Sequence, residues 1–218
     1  NPDTGPQGEL FQAIAGTSMS SPHVAGLAAL FKELRPGWSP MAIKSALMTT
    51  GTDVLDGGTP PAAETIPALI FRQGAGHVNP SRATDPGLVF DSNFADWLAF
   101  ICGVQPGGGC TGVTPIDESN LNVASIAIGD MAGVQTVTRR VTNVGTNPAT
   151  YAASVNGMAG FTVAVSPSSL SLAVGETKSF TVSFTRTTAA LNVYAGGQLR
   201  LADGAGHTVR VPMVVRPV

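Results

Sequence analysis

The sequence predicts a mixed α/β segment followed by an all-β sandwich. In the first half of the 218 residues, apolar side chains recur every three or four positions, which is typical of helices with one buried face. Beyond about Asn120 the spacing changes to two, and turn residues separate the alternating runs. We therefore expect two domains, residues 1–118 and residues 119–218, with a boundary near Asp117 to Asn122.

Three helices are expected in the first domain. The first runs from about Ser18 to Leu34, and we expect its apolar residues to be buried: Val24, Leu27, Ala28, Phe31 and Leu34. The second begins at the N-cap residue Ser39, followed by Pro40, and is expected to stop at Gly51. Its inner residues are Ile43, Ala46 and Leu47.

A proline-rich loop, 59–67, and a glycine-punctuated turn, 74–80, separate the second helix from the third. The third helix follows Ser92 and places four apolar side chains on one side: Phe94, Trp97, Leu98 and Ile101.

The second domain shows period-two runs. They are Phe161, Val163 and Val165; Phe180, Val182 and Phe184; and Val209, Val211, Met213 and Val215. The turn signals between strands are Asn143-Val144-Gly145, Asn156-Gly157, Val174-Gly175-Glu176 and Asp203-Gly204. About seven short strands in roughly a hundred residues favour an antiparallel β-sandwich.

Composition excludes several classes of protein. With 43% hydrophobic and 12% charged residues, the chain is not of the disordered type. The formal net charge is −2 and no Lys/Arg run occurs, so neither nucleic acid nor a membrane surface is expected as a partner. No apolar stretch approaches the roughly 18 residues of a membrane span. Three scattered histidines predict no metal site, and no cofactor is expected.

The segment from Gly16 to Gly26 carries the chemistry. Ser18 falls at the start of a long helix, where backbone N–H groups lack intrahelical partners and the helix dipole is positive. A hydroxyl there could attack a carbonyl, and the N–H of Ser18 could help hold the oxyanion that forms. Gly16 has no side chain and lets a substrate backbone approach. The alternative is an ordinary N-cap serine, the commoner role of serine at a helix start.

The segment Gly16-Thr17-Ser18-Met19, followed by Ser21-Pro22-His23-Val24-Ala25-Gly26, closely resembles the nucleophile segment of the subtilase family, peptidase family S8. Residues 74–83 are similar to the segment that closes the family's catalytic domain, and residues 85–91 to its continuation in plant-type subtilases and their bacterial relatives. Residues 139–145 resemble the start of their fibronectin-III-like domain. The resemblance implies the carboxyl-terminal portion of a subtilisin-like α/β domain followed by a fibronectin-III-like sandwich.

The resemblance also implies a secreted serine endopeptidase acting on proteins or peptides. Ser18 would be the nucleophile and backbone oxyanion donor, with Gly16 and Thr17 contacting the substrate. In the family, a histidine takes the hydroxyl proton, an aspartate orients it and an asparagine completes the oxyanion hole. All three precede the serine, whereas none of the 17 residues before Ser18 is a histidine. We expect these groups in the remainder of the catalytic domain upstream of Asn1, and an inactive isolated chain. The alternatives are a catalytically silent structural or binding fragment and a pseudoenzyme.

Other polar residues are expected to be structural. His23 lies five residues after Ser18, a rotation of roughly 140°, which excludes it as the base and leaves a packing or hydrogen-bonding role. His77 and His207 are expected to be structural. Four aspartates are expected in turns or caps: Asp53, Asp56, Asp85 and Asp91.

Two pairs leave alternatives open. In a secreted protein, Cys102 and Cys110 indicate a short local disulfide, with two free thiols as the alternative. Arg139 and Arg140 form either a contact between the domains or a solvated strand edge.

Overall fold

The structure, a computed structural model, describes residues 14–54 and 64–218. It divides into two compact units, the first extending to Gly37 and the second running from Trp38 to Val218. Most of the predicted proline-rich loop and Asp56 lie outside the described residues.

The first unit contains helix α1, Thr17–Leu34, which begins within one residue of the predicted start. The predicted burial of its apolar residues is wrong, because only Phe31 is buried. Val24 is 38% exposed and Leu34 55% exposed. The described part of this unit has no second helix or strand against which these side chains could pack.

The second unit opens with helix α2, Pro40–Thr49, and the sequence predicts it well. The Ser39 hydroxyl accepts a hydrogen bond from the Ala42 N–H at 2.9 Å, as an N-cap does. Ile43, Ala46 and Leu47 are buried as predicted. The helix ends before Gly51, where glycine is needed because a Cβ would lie 2.8 Å from the Ala75 carbonyl oxygen.

Three more helices follow: α3 (Pro67–Gln73), α4 (Pro80–Ala83) and α5 (Phe94–Val104), with 3-10 turns at Gly108–Cys110 and Glu118–Asn120. Helix α5 begins with a reciprocal capping box between Asn93 and Asp96. Its predicted apolar side faces solvent at both ends, since Phe94 is 81% exposed and Ile101 49% exposed. Cys102 is buried on this helix and forms a disulfide with Cys110, so the predicted pairing is confirmed.

Within the described residues, nine strands form two sheets. They are β1 (Leu88–Val89), β2 (Ile126–Met131), β3 (Val134–Asn143), β4 (Ala149–Gly157), β5 (Phe161–Ser166), β6 (Ser169–Leu172), β7 (Thr177–Arg186), β8 (Ala195–Ala202) and β9 (Thr208–Pro217). One sheet has the order β1-β3-β7-β5 and the other β2-β9-β8-β4-β6. All neighbours are antiparallel except β2 and β9, which run parallel. The fully antiparallel expectation is wrong there, because no tight turn joins these two strands.

The two sheets share one hydrophobic core, as the alternation predicts. The predicted inward residues of β7 and β9 are at most 1% exposed: Phe180, Val182, Phe184, Val209, Val211, Met213 and Val215. Strand β5 lies at the edge of its sheet, so its predicted residues are only partly buried.

Strand β1 is not predicted from the sequence, because two residues are too few for an alternation. Leu88 pairs with Asn143 and Val89 with Thr142. Leu88 and Phe90 are fully buried in the same core. Residues 88–90, which precede the predicted domain boundary, are thereby built into the sandwich.

Candidate active site

Ser18 is the second residue of α1 and is exposed. The N-cap of the helix is Gly16, which has no side chain and makes no side-chain capping bond. The interpretation of Ser18 as an ordinary N-cap serine is therefore wrong. Its hydroxyl is not needed to begin the helix and lies at the surface of the described chain.

The first turn of α1 leaves two backbone donors available. The N–H groups of Met19 and Ser20 both donate to the Gly16 carbonyl at 3.0 Å, and the Ser20 hydroxyl donates to the same oxygen at 3.2 Å. Helix geometry provides no intrahelical acceptor for the N–H groups of Thr17 and Ser18. These donors and the positive end of the helix dipole can stabilise negative charge that develops beside Ser18.

Gly16 and Thr17, the predicted substrate contacts, are exposed beside Ser18. The extended backbone at Gly16 is one that any residue adopts. A Cβ added there would make only ordinary contact, with the Met19 sulfur at 3.5 Å. Packing within the described chain therefore does not require glycine at this position.

His23 and His77, both expected to be structural, have hydrogen-bond partners within their own units. The His23 ring donates through Nδ1 to the Met19 carbonyl oxygen at 2.5 Å, one turn back along α1, which confirms a hydrogen-bonding role. His77 forms an isolated bridge with Thr52 through backbone hydrogen bonds of 2.7 and 2.9 Å.

A charged cluster connects Gly51, Asp53 and Glu64 to the sandwich. Arg210 on β9 donates to the Gly51 carbonyl oxygen and to Asp53 at 2.5 Å. Glu64 accepts hydrogen bonds from Arg200, from Asn156 at 3.1 Å and from Arg210 at 3.3 Å. Burial by itself would raise the pKa of Glu64, but the hydrogen bonds from Arg200 and Asn156 hold it below its ordinary value.

Arg139 and Arg140 have different roles. Arg139 is 2% exposed and donates to the backbone carbonyl oxygens of four residues: Ser119, Val123, Ser125 and Thr138. Burial lowers its pKa to about 10. Arg140 forms a 2.7 Å ion pair with Asp96 on α5. The solvated-edge interpretation is wrong for Arg139, which is buried, whereas Arg140, whose side chain is 40% exposed, contacts α5 through Asp96.

The described aspartates of the sequence analysis also have distant partners. Asp53 pairs with Arg210 over a separation of 157 residues, and Asp91 accepts from the Ser39 hydroxyl at 2.6 Å over 52 residues. Asp85 pairs with His207 at 3.1 Å. No local pattern predicts these pairs, because nothing near an aspartate in the sequence indicates a partner so far along the chain.

Residues 14–54 and 64–218 show neither a metal-binding cluster nor a membrane-spanning helix. In these ranges no three His, Cys, Asp or Glu side chains come together as metal ligands would. None of the helices described there is long and apolar enough to cross a membrane.

Comparison with known proteins gives matches in both halves of the chain. The model described as the Subtilase family matches residues 2–76, and the one described as a Fibronectin type-III domain matches residues 120–215. Subtilisin-like protease SBT2.5 of Arabidopsis thaliana is 40% identical over 95% of this chain and 28% of its own length. Subtilisin-like protease SBT5.3 of the same plant is 42% identical over 97% of this chain and 29% of its own.

A third relative, Subtilisin-like protease Glyma18g48580 of Glycine max, is 38% identical over 96% of this chain and 28% of its own length. The chain thus spans somewhat more than a quarter of the length of these relatives. Among solved structures, the PapD-like domain 7 of human CEP192 aligns with 44% of this chain and 81% of that chain, at a TM-score of 0.35 and 15% identity.

Proposed function

Because this chain belongs to the subtilase family, we propose that it is part of a serine endopeptidase whose nucleophile is Ser18. One observation carries the proposal: an exposed serine occupies the second position of α1, inside the region that matches the family. We assign residues 1–118 to the carboxyl-terminal part of the subtilisin-like catalytic domain and residues 119–218 to a fibronectin-III-like sandwich. The match at residues 120–215 supports this division.

The proposed reaction is acyl transfer through Ser18. Its oxygen attacks the scissile carbonyl carbon while a base removes the hydroxyl proton. The Ser18 N–H, free of an intrahelical acceptor, donates to the oxyanion of the tetrahedral intermediate. The C–N bond then breaks, the amine leaves with a proton, and water hydrolyses the ester on Ser18. Gly16 and Thr17 directly precede Ser18 in the sequence and would contact the substrate backbone.

The remaining catalytic groups are proposed to come from the rest of the protein, upstream of Asn1. They are the histidine base, the aspartate that orients it and the asparagine of the oxyanion hole. The exposed apolar side chains of α1 support such a partner, because Leu30 is 62% and Leu34 55% exposed. The isolated chain would then have no measurable peptidase activity.

The proposed setting is extracellular, with proteins or peptides as substrates. The Cys102–Cys110 disulfide supports this setting, because such bonds persist in oxidising compartments. The net charge of −2 agrees with a protein that binds neither nucleic acid nor an anionic membrane.

The decisive experiment compares Ser18→Ala with Ser20→Ala in the full-length protein. Ser20 is the matched control, because it lies in the same exposed first turn. Turnover of a fluorogenic peptide and labelling by a serine-reactive fluorophosphonate are measured for both. We expect Ser18→Ala to abolish both signals, on the scale of the roughly 10⁶ loss in turnover measured for subtilisin. Ser20→Ala should keep the label and most of the turnover.

Three other outcomes would contradict parts of the proposal. If the label were lost in Ser20→Ala and kept in Ser18→Ala, the nucleophile would be Ser20 and the assignment of Ser18 would be wrong. A full-length protein without turnover or label would be a pseudoenzyme or a catalytically silent scaffold. Serine-dependent turnover by the isolated chain would show that it contains its own base.

A further inference from the structure

A cleft of about 300 Å³ lies where residues 81–86 meet the turn between β8 and β9. Its lining includes Arg82 and Asp85 on one side and His207 and Thr208 on the other. The backbone passes close to His207, because Gly87 has a φ of +73° and a Cβ there would lie 2.9 Å from the His207 side chain. At this cleft the segment that leads into β1 therefore packs closely against the β8–β9 turn of the sandwich.

Asp203 positions the His207 ring. One oxygen of its carboxylate accepts the N–H groups of Ala205 at 2.8 Å and His207 at 3.0 Å, which shapes the turn. Its other oxygen lies 2.5 Å from Nδ1 of the ring. The Asp203 side chain is 3% exposed, so its contact with the ring is shielded from solvent.

Asp85 occupies the opposite side of the ring. Its carboxylate oxygen lies 3.1 Å from Nε2, and its side chain is 63% exposed. Ionised carboxylates only accept hydrogen bonds, and a neutral imidazole carries one N–H. Both ring nitrogens can therefore donate a hydrogen bond to a carboxylate only when the ring is doubly protonated. In the neutral ring, one lone pair would face a carboxylate.

We propose that His207 is a pH-sensitive latch that ties residues 81–86 to the β8–β9 turn while its ring carries two protons. When one proton leaves, the sheltered Asp203 keeps the remaining N–H at Nδ1, and Asp85 loses its donor at Nε2. The contact between Asp85 and the β8–β9 turn is then lost. The latch is independent of the proposed peptidase activity.

The charged surroundings set the direction of the response. The Asp203 hydrogen bond, offset in part by burial and aided by Asp85, raises the pKa of His207 above its ordinary value of 6.5. Arg82 of α4 faces the same cleft. Burial, aided by the charges of Asp203 and Asp85, raises the pKa of Tyr151 on β4 to about 12, so this side chain stays neutral between pH 6 and pH 9.

The direction in which pH changes the stability of the fold follows from these pKa shifts. A histidine with a raised pKa in the folded protein contributes stability that is fully present below its ordinary value and is lost as pH rises through the folded value. Burial would raise the pKa of Asp203, but the His207 hydrogen bond lowers it, so its contribution is lost only as pH falls below the ordinary 3.8. The latch therefore closes in mildly acidic solution and opens on the alkaline side.

The test is a pH titration of the intact protein by two methods. Ring resonances of His207 give its pKa by NMR, and thermal unfolding gives the midpoint between pH 6 and pH 9. We expect a His207 pKa clearly above that of a free histidine. The midpoint should fall by about 3–5 °C more in the wild type than in His207→Gln, if the closed latch is worth about a tenfold shift in the folding equilibrium.

Two variants separate the latch from general effects. His77→Gln removes an exposed histidine of the same unit and should keep the pH response of the wild type. Asp85→Asn changes an exposed side chain, retains the fold and should lower the His207 pKa. It remains informative if His207→Gln does not fold. A His207 pKa at or below the ordinary value, or one unchanged by Asp85→Asn, would overturn the proposal.

Discussion

Helix α1 and the sandwich both carry apolar side chains at regular spacing, yet only the sandwich buries them. In the sandwich, the alternating residues of β7 and β9 meet in one core and are at most 1% exposed. In α1, Phe31 is buried whereas Leu30 and Leu34 are more than half exposed. The spacing of apolar residues therefore predicts the type of secondary structure and its apolar face, but not whether another surface covers that face.

The difference follows from where the partners lie. Each inward residue of β7 faces strands of the second sheet that the same chain supplies. The described part of the first unit offers α1 no such surface. Under the proposed function, exposed apolar residues on α1 are what we expect of a helix that packs against further parts of a catalytic domain.

The largest predicted effect tests the sandwich side of this comparison. Phe180 is 1% exposed and packs edge-on against Phe90 with ring centroids 6.4 Å apart. Phe180→Ala should lower the free energy of unfolding by about 3–5 kcal/mol, because it opens a cavity between the sheets. Urea denaturation followed by circular dichroism measures this loss. Phe180→Leu, which keeps most of the volume, should lose clearly less, and equal losses would argue against a close-packed core.

A smaller effect tests how Glu64 is held against the sandwich. Glu64→Gln removes the charge that faces Arg200 and Arg210 and should cost about 2 kcal/mol, less than a fully buried pair because Arg200 is partly solvated. Because the pKa of Glu64 is lowered, its contribution is present above the ordinary 4.5 and lost as pH falls.

Urea denaturation between pH 3 and pH 7 measures this contribution. The variant should be less stable at pH 7 and should lose stability less steeply on acidification. Parallel curves for the two proteins would show that Glu64 does not couple folding to pH.

The smallest effect tests the α1 side of the comparison. Leu34→Gln should change the free energy of unfolding by less than about 0.5 kcal/mol, since the side chain is already in water. The matched control is Leu47→Gln on α2, where the side chain is 6% exposed and the loss should exceed about 2 kcal/mol. Equal losses in urea denaturation would mean that Leu34 is covered within this chain.

Local patterns predicted most elements of the structure. The N-cap at Ser39, the inward residues of α2 and the alternation in β7 and β9 were confirmed, because each depends on neighbours within a few positions. Strand β1 and the parallel pairing of β2 with β9 were not predicted, because they depend on pairing between distant segments. At the candidate site, sequence placed Ser18 at a helix start, and the structure showed that Gly16 is the N-cap.

The amino-acid sequence by itself determined the family of this protein, the serine proposed to react and the period of each long element, since these reside in contiguous residues. Only the tertiary structure decided the partners of its charged groups. Arg139 binds four carbonyl oxygens, Arg210 pairs with Asp53 and Glu64, and His207 contacts Asp85 from a distant part of the chain. Burying a charge is costly unless it is paired, and folding brings together partners that are far apart along the chain.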